Sequence, residues 1–259
     1  MPFPDIRKNN RFKDQLSACR DVLGTFIMVG GPEAVEICGA VGLDFVILDT
    51  EHTSTGWEKL SSMCLSALYA DTFPLVRFGS TSRDLVTRAL DIGARGVMFA
   101  QVQTADQALE AARACRYPPL GTRGAVFGRN VGWGISTGLA EYIEDANRGV
   151  VCVIQIETRE SVSNVESIAA IPGVDCLFIG LSDLSVDLGV PGQVRHPDVE
   201  AALDLVIAAA KAKGIPAGIP LADTSLAADY RRRGVSFFAT TDRGALASGM
   251  TAYVKGLTS

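Results

Sequence analysis

The sequence predicts one (β/α)8 barrel, a TIM barrel, that occupies residues 1–259 as a single domain. Three observations lead to this fold class. Short apolar runs rich in β-branched residues alternate with amphipathic stretches, eight such runs are present, and 259 residues is a length that one barrel fills. Runs such as FVILD and VVCVIQI are almost continuously hydrophobic, which is typical of parallel strands covered by helices on both faces.

The eight runs are predicted as strands in chain order. They lie at residues 23–29, 45–49, 75–77, 96–99, 150–157, 176–179, 217–221 and 236–240. The stretches between them carry helix start and stop signals. Residues 197–213 begin with Pro197 and acidic residues, end with Lys211 and Lys213, and are followed by Gly214 as a C-cap. The phrases LDIGARGVMFA and YRRRGVSFFAT indicate a helix, a glycine stop and the next strand.

One long irregular segment, residues 117–138, interrupts the alternation. It is rich in glycine and contains Arg123 and Arg129. A loop of this length in a compact domain is often an active-site lid, and the alternative is an ordinary surface excursion.

Composition excludes several classes of protein. With 47% hydrophobic and 20% charged residues the chain can bury a large core, and its net charge of −5 gives no reason to expect nucleic acid or an anionic membrane as a partner. The basic run at 231–233 suits the end of a helix. The first ten residues lack the apolar core of a secretory signal, and no apolar stretch of about 20 residues occurs. We therefore expect a soluble, cytoplasmic protein.

The cysteines also indicate a reducing, cytoplasmic compartment. They are scattered, without a CxxC pair, at positions 19, 38, 64, 115, 152 and 176. This spacing favours buried reduced thiols over disulfides or zinc ligands.

Residues that carry chemistry are expected where barrel strands end and the following loops begin. Four acids, a histidine and an arginine occur there, and Asp242 follows the eighth strand. The six residues are Asp49, Glu51, His52, Arg77, Glu157 and Asp183.

His52 directly follows a buried strand, beside two carboxylates, and a neutral imidazole in that setting can act as a general base. The alternative is a histidine that is merely hydrogen-bonded in a loop. The only other histidine, His196, stands in a His-Pro-Asp phrase at a helix start, where a surface or capping role is expected.

Glu157 and Asp183 lie 26 residues apart, one βα unit, so they should be neighbours at the barrel mouth. Two carboxylates with other positions left to water and substrate suit Mg²⁺ or Mn²⁺, although loop acids in ion pairs are the alternative. Arg77 can hold a carboxylate or stabilise an enolate, or can form a structural salt bridge. A metal, a cation and a base together suit enolate chemistry.

Several phrases resemble the HpcH/HpaI aldolase family, in the family's order and over nearly the whole chain. They are GLDFVILDTEHTSTG, PLVRFGS, RYPPLGTRG, VCVIQIETRESVSNVESIAAIPGVDCLFIGLSDLSVDLG and HPDVEAALDLVIAAAKAKG. QIET followed by the aspartate of GLSDLS is the most specific of these features. Such enzymes are class II aldolases that depend on a divalent metal, Mg²⁺, Mn²⁺ or Co²⁺, and act on 4-hydroxy-2-oxo acids.

The resemblance implies a role for each site residue. Glu157 and Asp183 would hold the metal, Arg77 would stabilise the pyruvate enolate, and His52, oriented by Asp49, would act through a water as acid and base on the C4 hydroxyl. The substrate pocket would be lined by Arg77, Gln155, Gly180, Leu181, Ser182 and Leu221. The small-molecule partners would be a 2-oxo acid and an aldehyde. The resemblance also implies a homo-oligomer, a hexamer or trimer of dimers, in which the C-terminal helix is swapped between subunits.

The chain departs from the family pattern around the mouth. Leu181 stands where a proline is usual, and FGSTS follows the arginine in place of a Pro and Trp-Asn-Asp phrase. The fourth strand ends in Met98-Phe99-Ala100-Gln101 where Val-Pro-Met is common. These departures remove no catalytic group and bear on the choice of aldehyde and donor.

Three functions follow as hypotheses. The first is a metal-dependent aldolase that cleaves or forms a 4-hydroxy-2-oxo acid, with pyruvate as the enolate half. The second is a related enolate-forming lyase or decarboxylase acting on another 2-oxo acid or a CoA ester, for which Arg123 and Arg129 would bind phosphates. The third is a catalytically silent barrel that binds a 2-oxo acid as a sensor or serves as an oligomeric scaffold. Such a barrel would need none of the following site residues: Asp49, His52, Arg77, Glu157 and Asp183.

Overall fold

Eight parallel strands close into a barrel in a computed structural model of the chain, which describes residues 10–135 and 138–258. Each strand pairs with the next along the chain, and the eighth pairs with the first. The predicted (β/α)8 barrel is confirmed. Ser136 and Thr137, which belong to the predicted lid, lie outside the described residues.

The strands are β1 Val22–Ile27, β2 Phe45–Asp49, β3 Phe73–Phe78, β4 Gly96–Phe99, β5 Val151–Ile156, β6 Cys176–Ile179, β7 Ala217–Pro220 and β8 Val235–Thr241. The helices are α1 Asn10–Ser17, α2 Pro32–Ala40, α3 Trp57–Tyr69, α4 Arg83–Asp91, α5 Ala105–Ala114, α6 Leu139–Gly149, α7 Arg159–Ser163, α8 Val165–Ala169, α9 Leu181–Asp187, α10 Pro197–Lys213, α11 Ala227–Arg233 and α12 Asp242–Thr258. Short 3-10 turns occupy Arg129–Gly134 and Thr224–Leu226.

The first strand ends two residues earlier than predicted, at Ile27. The N–H groups of Met28 and Val29 donate to the Asp242 carboxylate, at 2.9 and 3.1 Å, instead of continuing the strand pairing. Asp242 opens α12, so it ties the loop after β1 to the end of β8. The sequence pattern alone does not reveal this, because apolar residues continue through Val29.

The barrel interior is filled by aromatic rings, which leaves room for a site only at its ends. Phe45 stacks on Phe237 with ring centroids 4.2 Å apart, and Phe178 contacts Phe237 edge-on at 5.9 Å. Phe12 of α1 stacks on Phe73, the first residue of β3, at 4.3 Å. Because α1 therefore closes the N-terminal end of the barrel, only the C-terminal end remains open for chemistry.

A buried ion cluster ties α1 to that closed end. Asp175 precedes β6, and its carboxylate lies 2.5 Å from the Lys13 ammonium and 3.1 Å from Arg116 Nη2. The Cys152 backbone N–H also donates to it, at 2.8 Å. All three side chains of the cluster are largely buried.

The outer helices begin and end at the start and stop signals predicted from the sequence. The His196 ring accepts a hydrogen bond from the Asp198 N–H at the start of α10, so its capping role is confirmed. Gly214 ends the same helix in a left-handed conformation with φ +67°. The arginines at 231–233 form the last turn of α11, where each pairs with a nearby carboxylate.

The segment 117–138 lies outside the barrel, beside α4. Asp91, the last residue of α4, accepts hydrogen bonds from Arg123 at 2.9 Å and from Asn130 at 3.1 Å. Asn130 also donates to the Tyr142 hydroxyl at 3.1 Å. A lid would cross the open end of the barrel, whereas these contacts hold the described part of the segment against the outer helices, which favours the surface excursion.

All six cysteines are free thiols. Those at 64, 115, 152 and 176 are buried, as predicted, and burial raises the pKa of the Cys64 thiol to about 12. Among the described residues, no helix combines the length and apolar character needed to cross a membrane.

Candidate active site

The open end of the barrel collects the polar side chains that end β2, β3 and β5. Asp49 is the last residue of β2 and lies in register with Arg77 of β3, and Glu157 directly follows β5. All three side chains are buried. Strand ends at one edge of a closed parallel sheet bring residues that are distant in sequence into one site.

Arg77 is held rigidly by two neighbours. Its Nε and Nη2 donate to the two Asp49 carboxylate oxygens at 2.9 and 2.8 Å, a bidentate pair that fixes the guanidinium plane. Its Cζ lies 4.7 Å from the centre of the Phe26 ring, in the geometry of a cation–π contact. Arg77 thus forms the structural salt bridge that was predicted from the sequence as one possibility. The other N–H groups of its guanidinium can still donate to an anionic oxygen of a substrate.

His52 lies beside Glu51. Its Nε2 is 3.6 Å from Glu51 Oε2, and its side chain is 52% exposed. The resemblance implied that Asp49 orients His52, whereas Asp49 accepts hydrogen bonds from Arg77 and from the Glu51 N–H. No hydrogen bond or ion pair joins Asp49 to His52 in the described parts of the chain, because the Asp49 carboxylate is already occupied.

Glu157 is almost completely enclosed at the mouth, at 1% exposure. Its Oε1 accepts from the Gln101 backbone N–H at 2.8 Å and from Gln101 Nε2 at 2.9 Å, and its Oε2 accepts from the Gln155 amide. A Cβ on Gly180 would lie 2.7 Å from Glu157 Oε2, so this position has to be glycine for the carboxylate to sit there.

The charges around Glu157 are unbalanced. Burial raises the pKa of Glu157 to about 7, the two amide donors oppose that shift, and the carboxylates of Asp183 and Glu51 add to it. Burial likewise raises the pKa of Glu51, against the opposing effect of Arg77 and His52. Arg77 pairs with Asp49 and its Nε also lies 3.4 Å from Glu51 Oε2, whereas no ion pair of the described residues includes Glu157 or Asp183. These two acids therefore lack a cation from the described parts of the chain.

The other predicted residues also lie at strand ends. Gly180 follows β6, Leu181 opens α9 and is buried, and Ser182 and Asp183 are exposed in its first turn. Leu221 follows β7 and donates its N–H to the Ala239 carbonyl at 2.8 Å. The fold therefore brings the predicted site residues to one end of the barrel, where their roles stay predictions.

Gln101 is the site residue that sequence reasoning missed. It follows β4 and has φ +58°, which directs both its backbone N–H and its side chain toward Glu157. The available signal was the departure from the family phrase at the end of the fourth strand. Nothing in local sequence indicates that the amide reaches a residue 56 positions away.

The donor set suits a hard divalent cation. In the described ranges no cluster of three or more His, Cys, Asp or Glu side chains is arranged around a common point, so the chain itself supplies only part of a coordination shell. At the mouth, the buried oxygens Gln155 Oε1 and Glu51 Oε2 accept no hydrogen bond from the described residues, although Glu51 Oε2 lies within ion-pair distance of Arg77 and His52. Oxygen donors around an excess of negative charge, with positions left for water or substrate, fit Mg²⁺ or Mn²⁺.

The fold and the site together define a TIM-barrel enzyme with an acidic, oxygen-rich centre beside a fixed arginine. Comparison with known proteins identifies the family. The sequence model of the HpcH/HpaI aldolase/citrate lyase family matches residues 23–247. The chain belongs to this family, and it is an aldolase-class lyase.

Named relatives and a solved structure cover most of the chain. It is similar to the hydroxypyruvate/pyruvate aldolase of Paraburkholderia phytofirmans, with 35% identity over 89% of this chain and 90% of that protein. It is 34% identical to the 4-hydroxy-2-oxo-heptane-1,7-dioate aldolase of Salmonella dublin, over 94% of this chain and 92% of that one. A family member from Burkholderia cenocepacia J2315 superimposes with a TM-score of 0.90 at 35% identity, covering 96% and 100% of the two chains.

Proposed function

We propose that this protein is a divalent-metal-dependent aldolase that cleaves or forms a 4-hydroxy-2-oxo acid, with pyruvate and an aldehyde as the other side of the reaction. The observation that carries the proposal is the pair of acids Glu157 and Asp183, which has no ion-pair partner among the described residues and lies at the same barrel end as Arg77. The names of the relatives support the substrate class, since two of them are aldolases of pyruvate-related and 4-hydroxy-2-oxo acids.

Glu157 and Asp183 would hold the metal. When bound, a divalent cation polarises a carbonyl oxygen and so lowers the energy of developing negative charge by several kcal/mol. Glu157 contributes a carboxylate whose Oε1 is already fixed by Gln101, and Asp183 contributes one that is exposed to solvent and substrate.

Arg77 would bind the carboxylate of the 2-oxo acid and stabilise the enolate oxygen. Its bidentate pairing with Asp49 means that the guanidinium does not have to be ordered during the reaction. Gln155 and the backbone at Gly180 lie on the same side of Glu157 and would complete the substrate pocket with Leu181.

His52 would move the proton. In the cleavage direction, His52 accepts the proton of the C4 hydroxyl through a water. The C3–C4 bond then breaks, and the electron pair of that bond forms the pyruvate enolate while the C4 carbon leaves as part of an aldehyde. A proton from solvent then adds to C3 of the enolate to give pyruvate, and His52 releases its own proton to solvent. His52 is half exposed, as a group that exchanges protons with water should be, and Glu51 beside it can stabilise the imidazolium.

The test is pyruvate release from a panel of 4-hydroxy-2-oxo acids by chelator-treated protein, with and without added Mg²⁺, Mn²⁺ or Co²⁺. We expect release that requires metal and that is lost in His52→Ala, whose half-exposed side chain can be removed without disturbing the core. Metal-independent release, or full activity of His52→Ala, would contradict the mechanism.

The CoA-ester alternative has less support. The residues expected to bind the phosphates of CoA were Arg123 and Arg129, and neither side chain faces the barrel mouth. Arg123 is buried against Asp91, and Arg129 donates to Ser61 of α3 at 3.3 Å. A CoA ester would therefore need other cations, so the 2-oxo acid remains the better substrate class.

A homo-oligomer is also part of the proposal. Helix α12 has no buried residue, and it exposes the apolar side chains of Leu246, Met250, Tyr253, Val254 and Leu257. An apolar helix without a cover on its own subunit supports a swapped helix, as the resemblance implied. Sedimentation equilibrium would test it, and a monomer at micromolar concentration would contradict it.

A further inference from the structure

Gln101 stands out at the barrel mouth because of its backbone. Its φ of +58° is in the left-handed region, which residues other than glycine adopt rarely and which is found where contacts compensate for strain. The side chain is exposed, so burial in the core does not explain the conformation. Two hydrogen bonds explain it, because the Gln101 backbone N–H and the side-chain Nε2 both donate to Glu157 Oε1, at 2.8 and 2.9 Å.

The two oxygens of Glu157 have different neighbours. Gln101 supplies both donors to Oε1, whereas Oε2 faces the Gln155 amide and Gly180. A cation that binds Glu157 through Oε2 would displace the contact with Gln155 and leave both contacts with Gln101 intact. Gln101 therefore acts on the oxygen that does not have to change partners.

We propose that Gln101 is a positioning residue that fixes the Glu157 carboxylate for a divalent cation. The inference rests on the proposed function, because it assigns a role toward the same metal. The side-chain amide, together with the backbone N–H, restrains the carboxylate against rotation through two hydrogen bonds to Oε1. Hydrogen-bond partners of a metal ligand lower the cost of ordering that ligand, and losing one typically weakens metal binding by about 10- to 100-fold.

The decisive experiment is Mn²⁺ titration of chelator-treated protein, with free Mn²⁺ followed by electron paramagnetic resonance. Gln101→Met removes the donor while keeping the length of the side chain, and the backbone N–H stays in place. We expect about 10-fold weaker Mn²⁺ binding. Because the side chain is exposed, the melting temperature of the metal-free variant should stay near that of the wild type.

Gln103→Met is the matched control, since it makes the same substitution two residues along the same loop. Gln103 uses its backbone groups to contact Gln107 and Asn164, and its side chain is not part of the site. We expect wild-type Mn²⁺ affinity. An equal loss in Gln103→Met and Gln101→Met would overturn the inference, because it would indicate a general effect on the loop.

A double-mutant cycle with Glu157→Asp tests whether Gln101 acts through Glu157. The shorter aspartate withdraws its carboxylate from the Gln101 amide, so Gln101→Met should cost clearly less in that background. Equal costs in both backgrounds, or a Gln101→Met affinity within twofold of wild type, would overturn the inference while leaving the proposed function intact. A wild-type protein that binds no Mn²⁺ would overturn both.

Discussion

The two ends of the barrel each bury a carboxylate, but they surround it with groups of different charge. At the closed end, Asp175 is surrounded by Lys13 at 2.5 Å, Arg116 at 3.1 Å and a backbone N–H. At the open end, Glu157 receives neutral amide donors and faces two further acids. Both side chains are largely buried, so burial alone does not distinguish them.

The difference indicates which carboxylate serves the structure and which serves the reaction. Asp175 is balanced by cations from α1 and from the loop after α5, so its charge joins distant parts of the chain. Glu157 is left without a cation from the chain, although burying a lone charge is unfavourable. A folded protein retains such an arrangement where a ligand supplies the missing charge.

The largest effect should come from Glu157→Gln. The shape of the side chain is kept and its charge is lost, so metal-dependent pyruvate release should fall by about 10³-fold, which corresponds to roughly 4 kcal/mol of lost charge stabilisation. The free energy of unfolding of the metal-free protein should be unchanged or higher at pH 8, because an unbalanced buried charge is gone. Steady-state kinetics and urea unfolding check both, and a destabilised, active variant would reverse the roles assigned to the two ends.

The reciprocal change is Asp175→Asn at the closed end. It leaves Lys13 and Arg116 without their common carboxylate, so we expect the free energy of unfolding to fall by about 3 kcal/mol. The kcat of the folded fraction should stay near wild type, since the reaction takes place at the other end. A stable variant with impaired kcat would show that the closed end also takes part in catalysis.

Gly180→Ala should disturb Glu157 without changing a charge. The added Cβ would lie 2.7 Å from Glu157 Oε2, so the carboxylate has to move. A misplaced ligand should weaken Mn²⁺ binding by about 30-fold, within the range seen when the surroundings of a metal ligand are altered. Gly138→Ala is the control, because a Cβ at this position meets open space, and the variant protein should bind Mn²⁺ with wild-type affinity. Gly189→Ala is unsuitable, because the φ of +78° at Gly189 would strain the backbone of any other residue.

The smallest effect is expected from pH. The pKa of Glu157 is raised from 4.5 to about 7, so protons compete with metal below pH 7, and Mn²⁺ affinity should fall about tenfold between pH 8 and pH 6. Because the folded protein holds the Glu157 proton more tightly than the unfolded chain does, protonated Glu157 favours the folded state of the metal-free protein at low pH. This contribution to the free energy of unfolding declines as the pH rises from 4.5 to about 7 and is lost above pH 7. Titrations across this range check the first statement. A pH-independent affinity would indicate that Glu157 is not the ligand.

Much of the fold could be predicted because its signals are local. Strands such as Phe45–Asp49 are short apolar runs, helix ends such as Gly214 are marked by glycine, and both patterns depend on neighbouring residues only. Barrel closure follows from the number and order of these units. The same reasoning placed His52, Arg77 and Glu157 at one end, since every strand end of a parallel barrel faces the same way.

The partners of these residues were decided by the tertiary structure. Asp49 pairs with Arg77 and not with His52, because the register of β2 and β3 sets them side by side. Gln101 reaches Glu157 through a left-handed turn that no local pattern specifies. The sequence by itself thus determined which chemical groups gather at the barrel mouth. Only the folded chain decided which of them neutralise one another and which stay available, since that depends on distances between residues far apart in sequence.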